Sequence, residues 1–143
     1  MTETLLEAVN VAKELGSGAA RVAALKGVSL ALDGGELTLL MGPSGSGKTT
    51  LLSILGCMLT PTEGTVRVCG RSTAGAGPED LALLRREHVG FVFQFFHLFP
   101  TLSAADNVRL ALDVRGEPSG TAKARSREAL ARVAAGPSEA ATW

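Results

Sequence analysis

The residues best suited to chemistry in this 143-residue sequence form one glycine-rich stretch, Gly42 to Thr50, which reads GPSGSGKTT. This stretch matches, at every fixed position, the G-x-x-x-x-G-K-[ST] pattern of loops that bind nucleotide phosphates. Apolar runs at residues 37–41 and 51–55 flank it, which favours a strand entering the loop and a helix leaving it. The start of such a helix aims backbone N–H groups and the positive end of the helix dipole at one point, which suits a β-phosphate.

Each residue type in the loop has a predicted task. Three glycines let the backbone turn tightly with no Cβ in the way. The Lys48 ammonium suits the β- and γ-phosphates, the Thr49 hydroxyl suits Mg²⁺, and Thr50 suits the α-phosphate. The alternative, a glycine-rich loop that holds these residues by chance, is disfavoured by the flanking strand and helix. The predicted binding residues are Gly42, Ser44, Gly45, Ser46, Gly47, Lys48, Thr49 and Thr50.

Charge and composition exclude several classes of function. Fourteen basic residues balance fourteen acidic ones, so nothing favours a nucleic-acid partner. No window approaches 18 uninterrupted apolar residues, and the N-terminus has acids where a secretory signal would have bases. We therefore expect a cytoplasmic location. Cys57 and Cys69 lack metal-ligand spacing and are expected to be small buried hydrophobes.

The elements that must position the loop follow from periodicity and turn signals. Strands are predicted at residues 6–11, 21–32, 36–41, 65–69 and 88–94. Helices are predicted at residues 48–59, 78–86, 103–112 and 121–135. Asp33-Gly34-Gly35 is a turn signal, and Ser103 with Asp106 resembles a capping box. This order predicts an α/β fold in which antiparallel β structure leads into a buried parallel strand at residues 36–41.

All five phenylalanines lie between residues 91 and 99. Phe91, Phe93 and Phe95 alternate, so they would share one face of the strand predicted at residues 88–94. Core packing is the favoured interpretation for Phe91 and Phe93. Phe96 and Phe99 follow the end of that strand, where a docking surface and an ordinary loop remain equally open.

Several segments together resemble one family, the ATP-binding subunits of ABC transporters. They are ALKGVSL from Ala24, GPSGSGKTTLLSILG from Gly42, TPTEGTV from Thr60, GFVFQ from Gly90 and HLFPTLSAADNV from His97. Within the family the sequence is most similar to the lipoprotein-release and macrolide-export type. The resemblance covers roughly residues 5–133.

The resemblance implies an α/β fold of the P-loop NTPase type, with an N-terminal antiparallel β subdomain and the start of a helical subdomain. It implies ATP and Mg²⁺ as ligands, with Gln94 matching the family's Q-loop glutamine and joining Thr49 near the metal. It also implies a homodimer of ATP-binding subunits and a membrane-spanning partner that faces residues 95–101. The assembled protein would then lie at the inner face of the cell membrane. A GTPase is disfavoured because no N-K-x-D motif occurs.

The sequence departs from the family pattern in two respects. Leu15 stands where the family has an aromatic residue that stacks on adenine, so nucleotide affinity is expected to be weakened. No LSGGQ signature, Walker B Asp-Glu pair or switch histidine occurs, so no catalytic residue is predicted. We expect residues 1–133 to be a partial ATP-binding domain, residues 134–143 to be a non-family tail, and the chain to be a truncated form unable to hydrolyse ATP alone. A nucleotide-binding remnant with no transport role remains the alternative.

Overall fold

An antiparallel sheet of four strands organises the N-terminal part of the chain. In this computed structural model, which describes residues 3–133, the second strand along the chain lies at one edge of the sheet, followed by the first, the third and the fourth. A short 3₁₀ turn at Gly18–Ala20 joins the two long strands. The strands predicted at residues 6–11, 21–32 and 65–69 are confirmed, with wider bounds for the first. The strands are β1 Thr4–Leu15, β2 Val22–Asp33, β3 Glu63–Val68 and β4 Arg71–Ser72.

Helix α1, Lys48–Leu55, packs its apolar face on the sheet. The core combines alternate residues of the strands with one face of the helix. Side chains on one face recur every second residue in a strand and every 3.6 residues in a helix. Its fully buried members include Ile54 at 1% exposure and Val11 at 0%. The buried cluster consists of Ala8, Val11, Leu25, Leu51, Ile54, Leu55, Cys57, Val66, Val68 and Leu84.

The predicted helix at residues 48–59 ends four residues early, at Leu55. Cys57 adopts a left-handed conformation with φ of +57°, which an α-helix cannot continue through. The Arg85 guanidinium, from helix α2 at Pro78–His88, donates to the Cys57 carbonyl. This contact gives a partner to a carbonyl that the ended helix would leave unpaired.

The chain divides into two compact units between Phe91 and Val92. The described part of the second unit contains α3, Ala104–Val114, and α4, Ser119–Arg132, which pack against each other. The Ser103 side chain accepts a hydrogen bond from the Asp106 N–H at 3.2 Å, which confirms the predicted start of α3. Residues 134 and 135 of the predicted last helix, and the predicted tail at 134–143, lie outside the described residues.

Two predicted strands are wrong. Residues 36–41 form no regular element, and residues 88–94 hold only the end of α2 and irregular backbone. A strand is stabilised by pairing and by cover over its apolar side chains, and no strand within residues 3–133 pairs with either segment. The side chains are correspondingly exposed, with Leu37 at 97% and Val92 at 95%.

Core packing of Phe91 and Phe93 is also wrong. Phe91 is 37% exposed and Phe93 is 46% exposed. The Phe91 ring does lie against Gly56, where an added Cβ would come within 3.1 Å of it. Because residues 88–94 form no strand, the alternating phenylalanines do not lie on one face of a sheet.

Candidate phosphate-binding site

The loop at residues 42–47 runs directly into the first turn of α1, as the sequence predicts. The first helical hydrogen bond joins the Leu51 N–H to the Gly47 carbonyl at 2.8 Å. The N–H groups of residues 48–50 precede that bond and therefore have no acceptor within the helix. No side chain caps this end of the helix. The result is a cluster of donors at the positive end of the helix dipole, which is the environment that an anion prefers.

Gly47 is the position where the loop depends most strictly on glycine. Its φ is +87°, and a Cβ there would lie 2.4 Å from the Ala24 carbonyl oxygen of β2 and 2.9 Å from a Leu25 methyl carbon. Backbone atoms cannot move aside as a side chain can. At Gly42 the nearest atom to an added Cβ is only the Ser46 hydroxyl, at 2.9 Å. The close approach of Gly47 to β2 therefore fixes where α1 begins.

Lys48 places its ammonium group at the loop itself. Its Nζ donates to the carbonyl oxygens of Gly42 and Pro43, both at 2.7 Å, and to the Ser46 hydroxyl at 3.3 Å. No carboxylate within residues 3–133 lies within ion-pair distance of this nitrogen. The positive charge is therefore held by neutral groups and adds to the field of the helix start.

The remaining predicted loop residues lie at the surface. Ser44 and Gly45 form a turn, Thr49 is exposed and Thr50 is half-buried, all beside the start of α1. The loop thus fits a polyphosphate: free donors, an unneutralised cation and a glycine-lined backbone lie together, and Thr49 offers a hydroxyl of the kind that Mg²⁺ accepts. Within residues 3–133 no group of three or more His, Cys, Asp and Glu residues could hold a metal by itself.

Gln94 belongs to the second unit, where it is exposed and lies in a bend rather than at the end of a strand. Its predicted contact with Mg²⁺ stays a prediction. The residues that follow it expose large apolar side chains: Phe95 is 73% exposed, Phe96 is 89% exposed and Phe99 is 53% exposed. Several neighbouring aromatic rings in water are typical of a surface that contacts another molecule.

Asn107 is a residue of this region that the sequence patterns did not indicate. Its side-chain oxygen accepts from the Phe99 N–H at 2.8 Å, and its amide nitrogen donates to the carbonyls of Phe99, Leu102 and Ser103. An asparagine four residues after a helix-capping serine is a signal that could have suggested such a contact.

Leu15 occupies the last position of β1 and pairs with Val22, the first residue of β2. Leu15 is 43% exposed and Val22 is 64% exposed. Cross-strand partners point to the same face of a sheet, so the two aliphatic side chains form a small apolar surface. The structure thus has an accessible aliphatic group where the resemblance would place an aromatic one.

Comparison with known proteins points to one family. A family model described as ABC transporter matches residues 25–142. A macrolide export ATP-binding/permease protein, MacB, from Rhodopseudomonas palustris is 44% identical over 133 residues, which are 93% of this chain and 20% of that protein. MacB 1 from Aeromonas hydrophila is 46% identical over 136 residues, covering 95% of this chain and 21% of that protein. The chain thus spans about a fifth of the length of these curated relatives.

Solved structures agree with this assignment of the fold. The dimeric ATP-binding cassette MJ0796, in a post-hydrolysis state bound to ADP and Pi, superposes with a TM-score of 0.81 at 39% identity. The match covers 88% of this chain and 56% of that one. A second dimeric structure of the same bacterial ABC transporter cassette gives the same values. The predicted α/β fold of the P-loop type is therefore confirmed.

Proposed function

Since this chain belongs to the ABC transporter family and carries part of its ATP-binding domain, we propose that it binds Mg²⁺-ATP at residues 42–50 and passes that binding on to a membrane partner. We propose export as the direction of transport, by analogy with relatives whose names specify macrolide export. A remnant that binds nucleotide without any transport role is the second candidate. No helix within residues 3–133 is long and apolar enough to cross a membrane.

The geometry of Lys48 is the observation that carries the proposal. Its ammonium lies 2.7 Å from two loop carbonyls and faces no carboxylate in the described residues, while the N–H groups of residues 48–50 remain free of helical acceptors. Phosphates are recognised by such a combination of charge and backbone donors. The binding set we propose is Gly42, Ser44, Gly45, Ser46, Gly47, Lys48, Thr49, Thr50 and Gln94.

Magnesium supplies charge neutralisation between phosphate oxygens when it is bound. In this proposal Thr49 contributes a hydroxyl ligand, because it is the exposed oxygen donor nearest the start of α1 in the sequence. Gln94, which the resemblance matches to the Q-loop glutamine, is proposed to contribute a carboxamide oxygen. Lys48 holds the β- and γ-phosphates, and the loop backbone orients them.

The partners follow from the relatives. The names of the MacB proteins combine ATP-binding with permease, and the solved cassettes are dimers. We propose that two copies of the cassette associate around nucleotide, and that the membrane-spanning partner contacts the exposed aromatic residues at 95–101. This assembly would lie at the cytoplasmic face of a membrane.

Binding and hydrolysis are separable in this proposal. Phosphoryl transfer requires groups that position and deprotonate the attacking water. The printed sequence has no LSGGQ stretch and no apolar strand that ends in Asp-Glu. We therefore propose that these 143 residues bind ATP without hydrolysing it on their own.

The test is a titration of the chain with ATP in the presence and absence of Mg²⁺. We expect Lys48→Ala to weaken binding by about 100-fold or more, because the phosphates lose a direct charge-assisted contact. The exposed Lys26→Ala is the matched control, since it removes one positive charge outside the loop. Equal affinities for the unmodified chain and Lys48→Ala would refute the proposed site.

A phosphate-release assay under the same conditions tests the second part of the proposal. We expect no release above background from the chain alone. Turnover near about 1 per second that disappears in Lys48→Ala would contradict it. That outcome would leave the phosphate site intact and assign hydrolysis to residues of this chain.

A further inference from the structure

The segment between Gln94 and α3 keeps a defined conformation although it contains no helix or strand and all residues from 94 to 101 are exposed. Hydrophobic burial covers this segment only in part, since Leu98 is 40% exposed and Phe99 is 53% exposed. Polar contacts must therefore contribute to the order, since ordering each residue costs backbone entropy. Two sets of such contacts are present in the second unit, one at His97 and one at Asn107.

The first set ties the beginning of the segment. The His97 ring nitrogen Nδ1 lies 2.6 Å from the Phe95 carbonyl oxygen, and the His97 ring lies 4.6 Å from the Phe93 ring, centroid to centroid. His97 itself adopts φ of +49°, a conformation that is uncommon for a residue with a side chain. Phe95 and Phe96 stay 73% and 89% exposed beside these contacts.

The second set ties the end of the segment to α3. Asn107 Oδ1 lies 2.8 Å from the Phe99 N–H nitrogen, and Asn107 Nδ2 lies 3.2 Å from the Phe99 carbonyl oxygen. One side chain thus binds both backbone groups of Phe99, as a neighbouring strand would. The same Nδ2 lies 3.2 Å from the Leu102 oxygen and 3.1 Å from the Ser103 oxygen.

We propose that Asn107 is a positioning residue that presets the conformation of the aromatic loop at residues 95–101 for its partner protein. This inference rests on the proposed function, which assigns the loop to contact with the membrane-spanning partner. A loop held in one conformation before binding loses less entropy when it binds, so its contacts yield more affinity. Asn107 would act by holding Phe99 in place, and it need not touch the partner.

The side chain must be an amide for this task. The Phe99 N–H requires an acceptor, while three carbonyl oxygens require a donor, and asparagine provides both on one planar group. Aspartate has nearly the same shape but only acceptors, so Asn107→Asp keeps one of the contacts and sets a carboxylate against three carbonyl oxygens. The isosteric change therefore replaces three attractive contacts by repulsion, which weakens the hold of Asn107 on Phe99, while it preserves volume. We call the four hydrogen bonds of Asn107 to Phe99, Leu102 and Ser103 the clamp.

Ser103→Ala is the matched control. It removes the hydroxyl that caps the same helix, through its contacts with Asp106, and leaves the Ser103 carbonyl that Asn107 binds. Both variants weaken the start of α3, but only Asn107→Asp releases Phe99. A difference between them therefore reports the clamp rather than general loss of stability.

Chymotrypsin, which cuts after phenylalanine in mobile segments, provides the first measurement on the full chain. We expect Asn107→Asp to increase the initial cleavage rate after Phe95 and Phe96 by about tenfold, with sites assigned by mass spectrometry. Ser103→Ala should stay within about twofold of the unmodified chain at these sites. Equal rates for the two variants, or no increase for Asn107→Asp, would overturn the proposal.

Amide hydrogen exchange on the unmodified chain provides a second measurement that does not depend on a variant folding. The Phe99 amide should exchange about tenfold more slowly than the Phe96 amide, which has no acceptor among residues 3–133. Equal exchange rates would contradict the clamp. In Asn107→Leu, which has neither an acceptor nor a donor, the Phe99 protection should disappear while the amides in the middle of α3 keep theirs. A uniform loss along α3 would contradict a positioning role.

An ATP titration separates this inference from the proposed function. Asn107→Asp should bind ATP as the unmodified chain does, since Asn107 bonds to Phe99, Leu102 and Ser103 and to no residue of the proposed binding set. Failure of the unmodified chain to bind ATP would refute the proposed function and leave the loop measurements valid. Unchanged loop measurements beside normal ATP binding would refute the clamp alone.

Discussion

The two units of the chain are ordered by different forces. In the first unit, ten buried apolar residues form one cluster, drawn from three strands, two helices and the turn after α1. In the described part of the second unit, residues 92–133, only Ala122 and Ser126 are buried. There the loop that carries the exposed phenylalanines is held by hydrogen bonds from His97 and Asn107.

This difference suits what each unit is proposed to do. A phosphate site must keep several backbone donors in fixed positions, and a packed core resists movement because interiors are dense. A contact surface must remain exposed to its partner, so it cannot be ordered by burial. Hydrogen bonds such as those of His97 and Asn107 can order a loop that stays exposed, but they give it lower local stability than a packed core has. Four predictions test how far the contrast holds.

The largest effect is expected for Ile54→Ala in the first core. Ile54 is 1% exposed, so the change removes buried methyl groups and leaves a cavity, which should cost about 2–5 kcal/mol of unfolding free energy. Val114→Ala in the second unit is the comparison, because Val114 is 65% exposed and should lose less than about 0.5 kcal/mol. Urea denaturation measures both values. Equal losses would show that the first core is not the main source of stability.

A second prediction concerns the contact between α1 and β2. Gly47→Ala places a Cβ 2.4 Å from the Ala24 oxygen, so the start of the helix must shift. Gly45→Ala is a close control, since its φ of +79° is similar to +87° at Gly47 while an added Cβ meets nothing within 4 Å. Both changes carry strain of about 1 kcal/mol from the left-handed backbone.

Gly47→Ala should therefore lower the free energy of unfolding by more than this strain alone, about 1–3 kcal/mol in all, whereas Gly45→Ala should lower it by the strain only. Gly47→Ala should also abolish ATP binding. Thermal unfolding of both variants measures the stability difference, and an ATP titration of Gly47→Ala measures the loss of binding. If Gly45→Ala were as destabilised as Gly47→Ala, backbone strain alone would explain the effect and the close approach to β2 would not matter.

Helix α3 provides a smaller, local effect in the second unit. Ser103→Ala removes an N-cap hydroxyl and should cost about 1 kcal/mol. Ser119→Ala at the start of α4 is the control, because that helix has Pro118 as its N-cap and no side-chain cap bond. Amide exchange should show faster opening of α3 in the first variant and little change in the second. A loss that spread equally to α1 would mean that the two units unfold together.

The smallest effect concerns the cysteines. Burial raises the pKa of the Cys57 thiol, and the nearby Arg85 charge only partly opposes this shift. Cys57 is 3% exposed, whereas Cys69 is half-buried. Alkylation by iodoacetamide at pH 8 should therefore modify Cys69 well before Cys57, since the thiolate is the reactive form.

The raised pKa of Cys57 also determines how the stability of the fold depends on pH. The folded pKa of Cys57 lies above its unfolded value, so its contribution is complete below the unfolded pKa and is lost as the pH rises through the folded one. Stability attributable to this thiol should thus fall only in alkaline solution. Faster alkylation of Cys57 than of Cys69 at pH 8 would show that the first core opens easily.

Local sequence patterns predicted the elements whose order depends on neighbours in the chain. The glycine and lysine spacing at residues 42–50 indicated the loop, and Ser103 with Asp106 indicated the start of α3, because loop and cap geometry are set within a few residues. The strands at residues 36–41 and 88–94 were wrong because an alternating or apolar run becomes a strand only when another strand pairs with it. Within residues 3–133 neither segment has such a partner.

The sequence by itself therefore determined the phosphate loop, the charge at Lys48 and the family, since these depend on residue types at fixed spacing. Tertiary structure alone decided that α1 ends at Leu55, where a left-handed Cys57 and the Arg85 guanidinium stop it. It also decided that Gly47 abuts Ala24 and that Asn107 binds Phe99. These contacts join residues that are 8 to 28 positions apart in the sequence. They depend on how helices, strands and loops pack, which local residue patterns do not specify.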